Sequence, residues 1–328
     1  MTVRLVECVP NFSEGKDRKI IDAIADAIAS VSGIRLLDVD PGKSTNRTVM
    51  TFVGSPETVV EAAFQGIARA AQLIDMRKHT GEHPRMGATD VCPFVPVTGV
   101  SMEDCVKLAR ELGERVGKEL SIPVYLYAEA ASKPSRRSLA EIRHGEYEGL
   151  EAKMKGADFA PDFGPGSFNA HSGATVIGAR HFLIAYNVNL NTRSKKLANE
   201  IALNIREAGR AKRDEKGEIV KDANGETVKV AGSLKECRAV GWYVDEYERA
   251  QVSINLTNFE VTGIEKAFDE VVKEAEKLGV RVTGSEIVGL VPLKPMLHAG
   301  EHYHKKQGRS TGVPEEELIS CAVQSLGL

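Results

Sequence analysis

Apolar residues along this chain fall into short runs that alternate with longer stretches at helical spacing. Residues 3–9 read as a strand, followed by the turn P-N-F-S-E-G. Ile20, Ile21, Ile24, Ala27, Ile28 and Val31 predict a helix from about Asp17 to Ser30. Strands follow at 34–39 and 47–53, separated by the polar turn D-P-G-K-S-T-N. Ser55-Pro56-Glu57 is a cap with proline at the first helical position, opening a helix over 57–74. A strand at 91–97, a helix opened by Ser101 and running to about Leu120, and a strand at 124–127 close this round. The order β-α-β-β-α-β is the split pattern of ferredoxin-like folds, with helices laid against a sheet.

A second round repeats that order. Strands are expected at 181–188, 239–244, 250–256 and 280–283, and helices at 192–209 and 261–278. The fold class expected is therefore α/β in the mixed α+β sense. Two related subdomains, 1–178 and 179–328, would each have ferredoxin-like character, with mixed sheets and helices on their outer faces. Residues 128–180 look less regular: a basic helical segment over 132–143, then a glycine- and proline-rich stretch carrying Phe159, Phe163 and Phe168. Such a stretch either holds a flat ligand or crosses over with its phenylalanines in the core. The charged segment 210–238 contains Asn224-Gly225 between alternating residues, a hairpin signal with no chemistry attached.

Composition narrows the class. In 328 residues, 42% are hydrophobic and 27% charged, as in soluble globular proteins. A net charge of -3 gives no bulk attraction to nucleic acid or to an anionic membrane. No apolar run approaches a membrane span, and the first residues lack a signal-peptide pattern. Five cysteines, at 8, 92, 105, 237 and 321, are odd in number and form no C-x-x-C pair. Reduced thiols in a cytoplasm fit this better than a disulfide framework.

Candidate chemistry concentrates in residues 75–97, where histidines, arginines, a lysine and acids precede the strand-like V-C-P-F-V-P-V. His79-Thr80-Gly81-Glu82-His83 matches H-x-x-E-H, and so does His298-Ala299-Gly300-Glu301-His302, with His304 beyond. That pattern holds a metal only when both histidines share one face of a helix. Gly81 and Pro84 disfavour helix at the first copy, and a polar solvated helix is the plain reading of the second; no metal is expected. The cluster suits general acid–base work instead, with a histidine near its ordinary pKa of about 6.5. No nucleophile motif, dinucleotide fingerprint or P-loop is present, and Cys8 and Cys92 read as buried strand thiols.

Several long motifs resemble the glutamate formimidoyltransferase family, in animals the N-terminal module of a formimidoyltransferase-cyclodeaminase. They are L-V-E-C-V-P-N-F-S-E-G, L-L-D-V-D-P-G-K-S-T-N-R-T-V, G-E-H-P-R-M-G-A-T-D-V-C-P-F-V-P-V, A-D-F-A-P-D-F-G-P and V-G-L-V-P-L-K, spread over nearly the whole chain. The resemblance implies transfer of a formimino group from N-formimino-L-glutamate to tetrahydrofolate, the cosubstrate, in histidine breakdown. It implies His83 as the catalytic histidine. It implies a folate-binding segment formed by Gly164, Pro165, Gly166, Ser167, Phe168, Asn169, Ala170, His171, Ser172 and Gly173. It also implies a homodimer. Asp40 is a candidate to stabilise the amidinium, and Arg47, Arg85 and Lys294 are candidates to hold substrate carboxylates. The cyclodeaminase half has no counterpart here, and the hairpin near 214–231 looks longer than in the animal module. Two alternatives stay open: folate-dependent formyl transfer to or from glutamate, and a non-catalytic folate-binding protein.

Overall fold

The computed structural model describes residues 3–222 and 224–328. The chain forms two compact units, the first ending at His181 and the second running from Phe182 to Leu328. In the first, the elements are β1 (Leu5–Cys8), β2 (Asn11–Phe12), α1 (Arg18–Ala29), β3 (Arg35–Gly42), β4 (Arg47–Gly54) and α2 (Pro56–Leu73). They continue with β5 (Thr89–Thr98), α3 (Met102–Glu119), β6 (Val124–Ala128), α4 (Leu139–Arg143), α5 (Glu146–Met154) and β7 (Thr175–Ala179).

Helix starts follow local chemistry. Asp17 caps α1 by accepting from the Lys19 N–H, and Ser101 and Asp104 form a reciprocal capping box at α3. β1 lies between β4 and β5 and is antiparallel to both, with β3 outside β4. The order β5-β1-β4-β3 is the ferredoxin-like arrangement anticipated from the hydrophobic rhythm. One difference is that the expected turn after β1 re-enters the sheet. Pro10 interrupts the strand, and Asn11 and Phe12 then pair again with β4 and β5 as β2.

A second difference is β7, which lies in the stretch expected to be irregular and pairs in parallel with both β5 and β6. Its five residues are all buried. Strands of this parallel part are covered on both faces, as parallel sheets require. On β6, Val124 and Leu126 face the core built with α1, α2 and α3, while Tyr125 and Tyr127 face the other way. There they meet Ile142, Leu150 and Met154, so the short helices α4 and α5 act as the second cover.

The second unit contains β8 (Ile184–Leu190), α6 (Lys195–Ile205), β9 (Arg210–Ala211), β10 (Lys229–Val230), β11 (Cys237–Val244) and β12 (Arg249–Leu256). It ends with α7 (Ile264–Lys277), β13 (Val282–Val288), α8 (Leu293–Lys306) and α9 (Glu315–Leu326). Its antiparallel sheet, β11-β12-β8-β13, repeats the ferredoxin-like order. Ile184, Tyr186, Val188 and Leu190 alternate into one core shared with the helices. The charged excursion is pinned at its base by β9 pairing with β10. Within it, Asp214 and Asp222 each accept two backbone N–H groups to form tight turns, the second closing at Gly225 as the Asn-Gly signal anticipated.

The second H-x-x-E-H copy does lie on a continuous helix, α8, but its histidines diverge. His298 is exposed. His302 Nε2 lies 2.9 Å from Asp269 Oδ2, and the buried His304 donates from Nδ1 to the Ser310 carbonyl at 2.7 Å. Among the described residues, no three histidine, cysteine or acidic side chains come together as a metal would require.

Candidate active site

The loop from His79 to Ala88 is held at both ends by hydrogen bonds to other segments. At its start it leans on the turn between β3 and β4. There Asn46 Nδ2 donates to the Thr80 carbonyl at 2.8 Å, and His79 Nε2 donates to the Asn46 carbonyl at 2.9 Å. The first H-x-x-E-H copy is thus non-helical, since only Met76–Lys78 makes a helical turn before the chain extends. At its end the loop pairs with the glycine-rich segment. Gly87 bridges to Gly173, the Ala88 N–H donates to the Ser172 carbonyl at 2.9 Å, and that of Ala174 donates to Met86 at 3.1 Å. A Cβ on Gly87 would stand 2.4 Å from the Ser172 and Ala174 oxygens, and one on Gly173 would stand 2.1 Å from the Met86 oxygen. Only glycine lets these backbones approach so closely.

Within this frame His83 meets Arg47, which begins β4. Arg47 Nη1 lies 2.9 Å from Nε2 and 2.6 Å from Nδ1 of the ring, whose Nδ1 is 2.7 Å from the Pro84 carbonyl. A carbonyl can only accept and a guanidinium can only donate. The Pro84 carbonyl calls for a proton on the ring and the guanidinium for a ring lone pair, a combination that the neutral imidazole supplies and the imidazolium does not. Burial, then the charges of Arg47 and Arg143, push the His83 pKa well below the ordinary 6.5. In sequence, Arg85 and Lys78 are the cations nearest to His83. The guanidinium groups that act on it are instead those of Arg47 and Arg143.

Both arginines converge on Asp90, which is fully buried. Arg47 Nη1 donates to Oδ2 at 3.3 Å, and Arg143, the last residue of α4, grips both carboxylate oxygens. Oδ1 also accepts the Met86 N–H at 3.0 Å. The strand pairing explains how Asp90 comes to point there. Asn11 opposes Val91 and Phe12 opposes Thr89, which leaves Asp90 as the extra residue of a bulge on β5. Bulges re-aim side chains, and this one directs a carboxylate to the two arginines. Asn11 completes the group by accepting from Arg47 Nε at 2.8 Å. Burial and the neighbouring Arg143 charge bring the Arg47 pKa down to about 9, so it stays protonated at neutral pH.

The other candidates are distributed as follows. Asp40 is half-buried on β3 opposite Val49, whose other neighbour across β4 is Asn11. Arg85 is buried and directed to His79, Glu146 and Glu148, the last two bridged at 3.0 and 2.5 Å. Arg85, Glu146 and Glu148, with Thr80, Gly81 and Gly145, line a recess of about 390 Å³. Lys294 belongs to the second unit, where it donates to Glu260 at 2.7 Å on the surface. In the segment from Gly164 to Gly173, Asn169 Oδ1 caps a turn by accepting from the His171 and Ser172 N–H groups. Phe168 packs 5.4 Å from Tyr147, and a Cβ on Gly166 would meet open space. Of the phenylalanines upstream, Phe159 stacks on Tyr125 at 4.5 Å, and Phe163 joins the main core.

Sequence reasoning did not select Asn11, Asp90 or Arg143 as site residues. Asp90 carried a usable signal, a lone charge at the entrance of an otherwise apolar buried strand. Arg143 carried none, being one base among several in its segment.

Fold and site together define a two-unit ferredoxin-like α/β protein with a neutral histidine set among paired arginines, an arrangement suited to acid–base chemistry on anionic substrates. Residues 5–180 match the N-terminal subdomain of the formiminotransferase domain, and 185–328 match the formiminotransferase domain. The chain belongs to the formiminotransferase family. It is 53% identical over 325 residues to the formimidoyltransferase-cyclodeaminase of Rattus norvegicus, covering 99% of this chain and 57% of that protein. It thus spans just over half the length of such relatives. The glutamate formimidoyltransferase of Thermoplasma acidophilum is 46% identical over 310 residues, covering 94% of this chain and 95% of its own. That of Streptococcus pyogenes serotype M1 is 40% identical over 300 residues, covering 92% and 93%.

Proposed function

We propose that the protein is a glutamate formimidoyltransferase. It moves the formimino group of N-formimino-L-glutamate to N5 of tetrahydrofolate, giving 5-formiminotetrahydrofolate and L-glutamate, a step of histidine degradation. The observation that carries the reading is His83: a ring poised as a neutral base, beside two arginines, on a loop sewn to the segment Gly164–Gly173. In this reading N5 attacks the amidine carbon. His83 Nε2 takes the N5 proton from the tetrahedral intermediate and returns it to the glutamate nitrogen as the C–N bond breaks. The segment Gly164–Gly173 holds the folate, with Phe168 and Tyr147 offering aromatic surface to the pterin. Arg47 serves the substrate carboxylates, Asp40 faces the amidinium, and Arg85 and Lys294 are secondary candidates for the remaining anions.

Five free, buried cysteines support a reducing, cytoplasmic setting. The family resemblance supports a homodimer. No described helix is long and apolar enough to cross a membrane.

The test is an assay of purified protein with tetrahydrofolate and either the formimino or the formyl donor. Transfer from the formimino donor is expected, falling about 10²- to 10⁴-fold in His83→Ala while folate still binds. Transfer from the formyl donor alone, or tight folate binding without turnover, would replace the reading.

A further inference from the structure

Arg47, Arg143, Asp90 and a neutral His83 together carry one net positive charge, with the Arg47 and Arg143 side chains 14% and 13% exposed. Two guanidinium groups share a single carboxylate, and that carboxylate is wholly out of solvent. Such a cluster is incomplete in charge and complete in geometry: the bulge on β5 fixes Asp90, Asp90 fixes both arginines, and Asn11 fixes the far side of Arg47. An incoming anion would find the donors already oriented. Nor can the cluster favour a reacting amidinium directly, because like charges would face each other.

Resting on the formimidoyltransferase reading, we propose that Arg47 and Arg143 form the subsite for the α-carboxylate of the formimino donor. Covalent geometry selects that carboxylate over the γ-carboxylate. One carbon separates the leaving nitrogen from the α-carboxylate, whereas three separate it from the γ-carboxylate. Arg47 Nη1 and His83 Nε2 are 2.9 Å apart, so a carboxylate seated on the guanidinium brings its α-nitrogen to the histidine. Without moving from Asp90 and Asn11, Arg47 then exchanges its contact with the His83 ring for one with the substrate. Binding of the donor then supplies the missing negative charge and readies His83 to exchange a proton with the leaving nitrogen. Asp90 is a positioning residue here; Arg143 is a specificity-determining one.

The experiment compares three donors with tetrahydrofolate: N-formiminoglutamate, N-formimino-4-aminobutyrate, which lacks the α-carboxylate, and N-formimino-L-2-aminobutyrate, which lacks the γ-carboxylate. In the wild-type protein, loss of the α-carboxylate is expected to lower kcat/KM by about 100-fold, and loss of the γ-carboxylate by less. In Arg143→Gln, the preference for formiminoglutamate over the 4-aminobutyrate donor shrinks about tenfold or more, with the tetrahydrofolate KM unchanged. Arg143→Lys recovers part of that preference, which a purely structural role would not produce. Equal use of the two donors by the wild type, or an undiminished preference in a folded Arg143→Gln, would overturn the proposal while leaving the transferase reading intact. Absence of transfer from every formimino donor would remove both.

Discussion

The two units lay the same four-strand order beneath different chemistry. In the first, the buried network at the site is built on charges: Arg47 on β4 and Asp90 on β5, joined by Arg143 from α4. In the second they are mostly neutral. Gln251, fully buried on β12, accepts from Trp242 Nε1 at 2.8 Å and donates to Asn189 Oδ1 at 2.8 Å and Glu286 Oε1 at 3.1 Å. Asn187 and Tyr247 also donate to Glu286, at 2.9 and 3.1 Å. Both arrangements obey the rule that buried polar groups must be paired. They differ in what pairing consists of. Amides around one carboxylate satisfy it by hydrogen bonds, whereas two arginines around one carboxylate need its charge. The shared topology thus says little about function, which resides in the side chains set upon it.

The sharpest way to break this comparison is to remove the central charge in each unit. Asp90→Asn keeps the shape and the acceptor for the Met86 N–H but leaves two partly buried guanidinium groups without a counter-charge. We expect a loss of about 3–5 kcal/mol in chemical denaturation at neutral pH, the range for uncompensated buried charge. A loss under about 1 kcal/mol would mean that the arginines do not depend on that carboxylate, and the contrast between the units would fail.

The element order was legible because it depends on local periodicity: Ile20, Ile21, Ile24 and Ile28 on α1, or Ile184, Tyr186, Val188 and Leu190 on β8. β7 was not, because five buried residues in a parallel strand show no alternation and glycines surround them. β2 was hidden by Pro10, which ends a strand locally even though the sheet takes the chain back. For the site, the polar density of residues 75–97 was visible, and family motifs named His83. Its surroundings were not visible. The bulge at Asp90 is a matter of register against β2, and Arg143 reaches the cluster from 53 residues further along the chain. Register and long-range contact are set by tertiary packing and leave no periodic trace.

A milder perturbation is pH. His83 is held below its ordinary pKa by burial and by the arginine pair, so its neutral form persists to lower pH than that of an exposed histidine. In the base role proposed for it, it is inactive when protonated. The ascending limb of kcat/KM, which reports the free protein, should therefore lie below 6.5. Arg143→Gln removes one of the two repelling charges and should move the limb upward. A wild-type limb at or above 6.5, or a limb unmoved in that variant, would detach His83 from the cationic cluster.

The smallest effect belongs to the second unit. In Glu286→Gln, the new side chain retains a carbonyl oxygen that can accept from Asn187 and Gln251, as Oε1 does now. Its amide then faces the Tyr247 hydroxyl, which rotates from donor to acceptor. Every hydrogen bond can thus be remade, and only the charge assistance is lost. The expected cost is about 0.5–1 kcal/mol, measured by the same denaturation that reads Asp90→Asn. Glu286→Ala should cost more, because the buried Gln251 and Asn187 would be left with donors facing no acceptor. A Glu286→Gln loss matching that of Asp90→Asn would show that the second sheet also depends on charge, and the two units would then differ only in which residues carry it.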